Sequence, residues 1–224
     1  MIYEFPNKDE PIRQGDIFFP LPFNFIRDLN NIIVITEDET IEKTSWEQIN
    51  NKPINAIVNV SPVWGIVASQ DCDAARVPYI TFFLIDTLDK ITKLTIPDPT
   101  NHKKWQSFLT TQTRKNAGWF YLPIDGKLGF HERMAVDYEE VFLVKREYLE
   151  TNSTSLRKGR LNKVSYQHYR EKISQYFRRF PYDEWYPLTV EEFIEYKKEK
   201  ESKGLIINPF EWQTQKNQKT KNTT

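Results

Sequence analysis

The run Tyr79-Ile80-Thr81-Phe82-Phe83-Leu84-Ile85 constrains this chain more than any other stretch. It is β-branched and aromatic almost throughout, and it reads as a buried central strand. Shorter runs of the same kind surround it. Ile17-Phe18-Phe19 follows a Gly15-Asp16 turn, and residues 31–36 carry Ile32-Ile33-Val34-Ile35. Residues 56–60 and 65–68 are separated by Ser61-Pro62, and residues 118–123 and 141–145 complete the set. Short strands divided by turn signals predict a small barrel or sandwich, mostly β within an α+β chain.

Two segments break that rhythm. Residues 88–116 are polar around Pro97 and Pro99, and Asn101 is placed to cap a short helix with Trp105, Phe108 and Leu109 on one face. Residues 37–55 read as a second insertion. From Ser165 the period changes to that of a helix. Tyr166, Tyr169, Ile173, Tyr176 or Phe177, and Phe180 recur at three and four residues until Pro181, with Arg170, Lys172 and Arg179 on the other face. Thr189-Val190-Glu191-Glu192 has the spacing of a capping box for a last helix that carries Phe193 and Tyr196 and stops at Gly204. The expected organisation is a barrel with its insertions over residues 1–150, a helical extension packed on it over 151–204, and a partly disordered tail over 205–224.

Composition narrows the chemistry. A single cysteine, Cys72, excludes a disulfide framework and multi-cysteine metal sites, and His102, His131 and His168 are the only histidines. No metal and no cofactor is expected. No apolar run approaches the length of a membrane span and no leader-like segment opens the chain, so the expectation is a cytoplasmic protein without membrane contact. The 31 basic and 31 acidic residues cancel, but residues 151–224 carry a net charge of +6 and residues 1–150 a net −6. Arg157, Lys158, Arg160, Lys163, Arg170 and Arg178 lie in the most basic stretch, where they form either a phosphate-binding field or a solvated face that pairs with the acidic part. Tyr166, Tyr169, Trp119, Phe120 and Tyr121 are placed to stack bases or to fill the core. The aromatic stretch over residues 180–187 reads as a linker or a docking surface.

Ser69-Gln70-Asp71-Cys72-Asp73 is the most distinctive string. It follows an apolar strand, where functional residues often gather. Cys72 is a candidate nucleophile with His131 as its partner, although the flanking carboxylates suppress a thiolate. Asp71 and Asp73, with Asp86 or Glu132, are candidate ligands of a divalent cation. The third reading is a structural turn in which Asp accepts backbone N–H groups and the small Cys72 fills the core beneath it. Asp16 divides the same way between a turn residue and a catalytic carboxylate. His131 is a general-base candidate with Glu132 or Asp137 as orienter. His168 reads as a helix-surface residue.

Three stretches together resemble the PemK/MazF family of small SH3-like barrels, the toxins of bacterial toxin–antitoxin pairs. They are Arg13-Gln14-Gly15-Asp16-Ile17-Phe18-Phe19, then Gly65-Ile66-Val67-Ala68-Ser69-Gln70-Asp71 with residues 78–85, then residues 119–123 with 136–142 and 145–149. The helix expected over 165–180 falls where that family has one. The resemblance implies an SH3-like barrel that acts on or binds RNA in a toxin–antitoxin or phage-defence setting. In the family an Arg-Pro pair before the second main strand supplies a catalytic Arg; here the place reads Pro62-Val63-Trp64-Gly65. A Ser or Thr near the end of the next strand has a shifted counterpart in Thr87, and Arg76 is the nearest cation. Endoribonuclease activity and RNA binding therefore stand beside an inactive barrel that serves as a protein-interaction subunit, with a partner from the same operon or a second copy of the chain.

Overall fold

A computed structural model describes residues 2–24, 28–49, 53–114, 118–177 and 190–206. The chain divides into two units, Met1–Phe177 and Arg178–Thr224. In the first, β1 (Tyr3–Glu4) leads to β2 (Asp16–Asn24), followed by β3 (Ile32–Ile35), β4 (Ile41–Thr44), a 3-10 turn (Trp46–Ile49) and β5 (Asn55–Ile57). Next come β6 (Val60–Val67), α1 (Asp71–Ala74), β7 (Tyr79–Thr87), α2 (Leu88–Thr92), α3 (His102–Arg114), β8 (Trp119–Leu122) and β9 (Met134–Lys145). The unit closes with α4 (Arg146–Thr151), α5 (Ser153–Leu156), β10 (Arg157–Leu161) and α6 (Lys163–Phe177). The second unit contains α7 (Val190–Glu201), supported by the ion pairs Lys197–Glu201 and Lys203–Glu199. Gly204 stands past its end at φ +79°, as expected of a stop glycine.

The strands form two antiparallel sheets, a seven-stranded one in the order β1-β10-β2-β6-β7-β9-β8 and a three-stranded one in the order β4-β3-β5. The fold is α+β. Among the described residues both sheets are open, where a closed barrel was expected. The large sheet curls far enough for its two edges to touch. The Tyr3 hydroxyl on β1 donates to the Pro123 carbonyl just beyond β8 at 2.9 Å, and the Tyr3 ring meets Phe130 edge-on at 6.0 Å. Side chains bridge the gap that a backbone ladder would close.

Both faces of this sheet are buried, which explains why β7 is apolar without alternation. One face holds Ile17, Ile66, Phe83, Ile85, Val136 and Tyr138, under Tyr169 and Ile173 of α6. The other holds Phe18, Leu21, Val67, Ile80, Phe82 and Phe142, under Ala74, Leu149 and Leu156. β7 lies between β6 and β9, hydrogen-bonded on both sides, as its sequence predicts. Two irregularities curve the sheet. β2 shifts register between Phe18 and Leu21, around Pro20, and β9 carries extra residues where Phe83 pairs with Val141 but Leu84 with Asp137. Gly65 sits where side chains close over the strand: a Cβ there would lie 2.9 Å from Leu21 and from Phe142.

Several boundaries differ from the sequence reading. The runs 31–36 and 56–60, read as strands of the main barrel, instead supply β3 and most of β5 of the small sheet, because Ile32 and Val34 bury against Ile49 rather than against the large core. Residues 157–161, assigned to a helical extension, are a strand of the large sheet paired with β2. The 88–116 segment holds α2 and α3. Phe180, Pro181, Thr189 and the tail beyond 206 lie outside the described residues. Among the described residues no helix is long and apolar enough to cross a membrane.

Candidate functional site

The Arg13-to-Asp16 turn is the hub of the first unit. Asp16 N–H donates to the Arg13 carbonyl and Arg13 N–H returns a bond to Asp16 Oδ2, each at 3.1 Å. Gly15 takes φ +87°, which glycine allows without strain, and donates to the Val67 carbonyl at 3.0 Å. Its own carbonyl accepts from Leu161 N–H at 3.1 Å. The turn thereby joins β6 and β10.

Asp16 has no exposed surface. Its carboxylate accepts from Arg160 Nε and, at 3.1 Å, from Arg160 Nη2, and from Arg157 Nη1 at 3.3 Å. Burial pushes the carboxyl above its ordinary range, against the pull of Arg160, the Arg13 N–H and Arg157. Arg160 also reaches Glu10 Oε2 at 3.0 Å and the Pro11 carbonyl. Arg157 spends its remaining donors on the carbonyls of Asn7, Lys8, Glu10 and Pro11. These two arginines, read as phosphate contacts, are corrected to a buried clasp that holds the 7–16 loop on β10. Their guanidinium groups face carbonyls and carboxylates rather than solvent. Asp16 is a turn and ion-pair residue.

Asp71 is the second hub. Its Oδ1 accepts from Gln14 N–H at 2.9 Å and its Oδ2 from the Tyr166 hydroxyl at 3.3 Å, so it links the turn, α1 and α6. The Gln14 side chain, nearly buried, donates to the Ala68 carbonyl at 2.7 Å. Burial, then the nearby Asp71 carboxylate, raises the Tyr166 phenol above its ordinary value. Beside these contacts opens a cleft of about 330 Å³ whose lining includes the acidic Glu4 and Asp71, the basic Arg13, Arg160 and Lys163, and Tyr166. Arg13 and Lys163 are exposed and enter no ion pair among the described residues. Arg170, also exposed, lies over the Tyr166 ring at 5.3 Å.

The structure separates the other candidates. Cys72 is exposed, and its Sγ donates to Asp73 Oδ1 at 3.8 Å. Asp73 lines a different groove, with Ser69, Val77 and Tyr79. Arg76 ends the α1 turn just before β7, whereas Thr87 closes β7 and pairs with Met134, three residues beyond His131. β7 has nine residues, so its ends stand roughly 25 Å apart at about 3.3 Å per residue. Cys72 with His131, and Arg76 with Thr87, are therefore at opposite ends of one strand, and neither pair forms a catalytic unit. Among the described residues no three His, Cys, Asp or Glu side chains converge to hold a metal. The Ser69–Asp73 string acts as a turn, with Ser69 Oγ accepting from Thr81 N–H at 2.9 Å and the Gln70 carbonyl receiving Asp73 and Ala74 N–H.

Of the basic residues, Lys163 is exposed with no ion pair among the described residues and Arg170 is exposed over the Tyr166 ring, while Lys158 donates to the Ser155 carbonyl at 2.6 Å. Arg178 lies outside the described residues. His168 is exposed on α6, as expected. Tyr169 has no exposed surface and belongs to the core, which removes it as a stacking platform. The sequence reading missed Arg13 and the two glutamines, Gln14 and Gln167. Arg13 and Gln14 stood in the sequence as the start of the first resembling stretch, beside the Gly15-Asp16 turn, which says nothing of α6 arriving opposite. No protein-family model matches the chain, and no curated protein matches it.

Proposed function

We propose that this protein is an SH3-like, PemK/MazF-type domain of a toxin–antitoxin or phage-defence system that binds single-stranded RNA at the Arg13–Tyr166 cleft. The observation that carries the reading is the stacked Arg170–Tyr166 pair at a cleft that also presents Arg13 and Lys163. Cations spaced around an aromatic ring suit a phosphate backbone with unstacked bases. The fold part of the proposal rests on the order of the three resembling stretches and on the curled sheet with edges bridged by Tyr3. The role proposed is binding. Cleavage needs a cation at the phosphate and a base at the 2′-hydroxyl, and the candidates for those roles sit at opposite ends of β7.

The test is binding of a labelled single-stranded RNA across a salt series. Lys163→Ala with Arg170→Ala is expected to weaken binding at least tenfold and to lower the salt slope by about one to two contacts. An unchanged slope overturns the reading.

A second reading, a protein-interaction subunit, is favoured by a separate observation on the small sheet, where aliphatic side chains face outward.

A further inference from the structure

The β4-β3-β5 sheet is apolar on both faces. Ile32 and Val34 point inward with Ala56 and Ile49. The outward face is set by register: Ile35 lies opposite Ile41 and Asn55, and Ile33 opposite Lys43 and Ile57. Ile33, Ile35, Ile41 and Ile57 are exposed to 36, 41, 67 and 44%, as one contiguous patch. Single exposed aliphatics are ordinary on a surface, but a cross-strand cluster of four on a sheet face marks an interaction site. β4 and β5 are also both sheet edges, each pairing only with β3 among the described residues.

Charge at the rim decides what fits. The β3–β4 hairpin tip holds Glu37, Asp38 and Glu39, all exposed. None of these carboxylates enters an ion pair among the described residues. Among the described residues of the three strands, Lys43 is the one cation on the outward face. A second copy of the chain would bring an identical acidic rim against this one, which costs like-charge repulsion.

We infer that this face docks a basic, aliphatic segment of another protein, an extended stretch in which Lys or Arg alternates with Val, Ile or Leu. Its aliphatic side chains cover the four isoleucines, its cations meet the hairpin tip, and its backbone pairs with a free edge of the sheet. Such edge addition uses backbone bonds for affinity and alternate side chains for specificity. The site is distinct from the RNA cleft and does not depend on it.

The experiment uses the full chain and a fluorescein-labelled synthetic peptide of alternating Lys and Val, with alternating Glu and Val as the control. Binding is read by anisotropy at low and high salt. The Lys-Val peptide is expected to bind and the Glu-Val peptide not to. Ile35→Ser with Ile41→Ser is expected to weaken binding at least tenfold. Glu37→Gln with Asp38→Asn and Glu39→Gln is expected to weaken it similarly at low salt and to remove most of the salt dependence. Equal binding of both peptides, or affinities unmoved by either set of substitutions, overturns the inference. So does a dimer, seen by sedimentation, that Ile41→Ser dissolves, because the occupant is then a second copy. The rim variants leave the packing of the sheet intact, so the test stands even where the isoleucine variants fold poorly.

Discussion

Asp16 lies at zero exposure between two guanidinium groups, themselves almost entirely covered. Burying three charges is costly, and the arrangement is tolerable because each donor and acceptor has a partner. Removing one member leaves the others uncompensated, so Asp16→Ala and Arg160→Ala are each expected to destabilise the protein by about 3–5 kcal/mol in denaturant titrations. Lys163→Ala is expected to stay within about 0.5 kcal/mol, since its side chain is exposed and unpaired. An Arg160→Ala protein as stable as the parent would show that the clasp is not structural. In the sequence these cations are indistinguishable: Arg157, Arg160 and Lys163 fall within seven residues. What separates them is that β10 lies beside β2, a pairing between residues 139 to 144 positions apart. Cys72 teaches the converse. The turn reading has it filling the core beneath the two carboxylates, whereas it is exposed. Cys72→Ser is expected to cost less than about 0.5 kcal/mol and to leave RNA binding unchanged.

At the scale of elements, strands announced by apolar runs were legible, and strands made by pairing alone were not. β7 reads from its own residues because both faces are buried. β10, Arg-Lys-Gly-Arg-Leu, offers no apolar alternation, and its place in the sheet follows from the clasp and from Gly159, where a Cβ would lie 2.4 Å from a Leu128 methyl group. β3 misleads in the other direction. Its run of Ile and Val suggests a strand buried in the main core, yet it builds a small sheet with one face open. The candidate site was legible only in part, because the string around Asp71 is visible but the approach of Tyr166, 95 residues later, is not. Among the described residues the small sheet has a core of Ile32, Val34 and Ile49 with Ala56 against it. Its amides are therefore expected to exchange with solvent by local opening, orders of magnitude faster than those of β6 and β7. Equal protection in the two sheets would mean that they open as one cooperative unit. Gly65 gives the complementary test in the large sheet. Gly65→Ala must displace Leu21, Phe142 or Phe82, each within 3.0 Å of the new methyl, and is expected to cost about 1–3 kcal/mol.

For the molecule as a whole, the curl of the large sheet gathers tyrosines where water is excluded. Tyr3 is raised well above its ordinary value, first by burial and then by the charge of Asp125. Tyr138 is raised by burial alone, and Tyr169 by burial and then by Tyr138. In the unfolded chain all three ionise near pH 10. Above that pH the unfolded state releases protons that the folded state keeps, so stability is complete below about pH 10 and falls as pH rises further. Each tyrosine contributes a slope of about 1.4 kcal/mol per pH unit, and three acting together exhaust a stability of ordinary size within a few units. Alkaline unfolding is therefore expected to be cooperative, with a late fraction of the phenolate absorbance appearing in the same transition as the loss of structure. Tyr138 isolates the cause. Its hydroxyl is buried and finds no hydrogen-bond partner among the described residues. Tyr138→Phe removes both an unsatisfied polar atom and one linked proton. It is expected to raise stability at neutral pH by about 1 kcal/mol and to make the alkaline fall shallower by about a third. A variant that is less stable at neutral pH, with the slope unchanged, would place a partner at that hydroxyl and assign the alkaline transition to other groups.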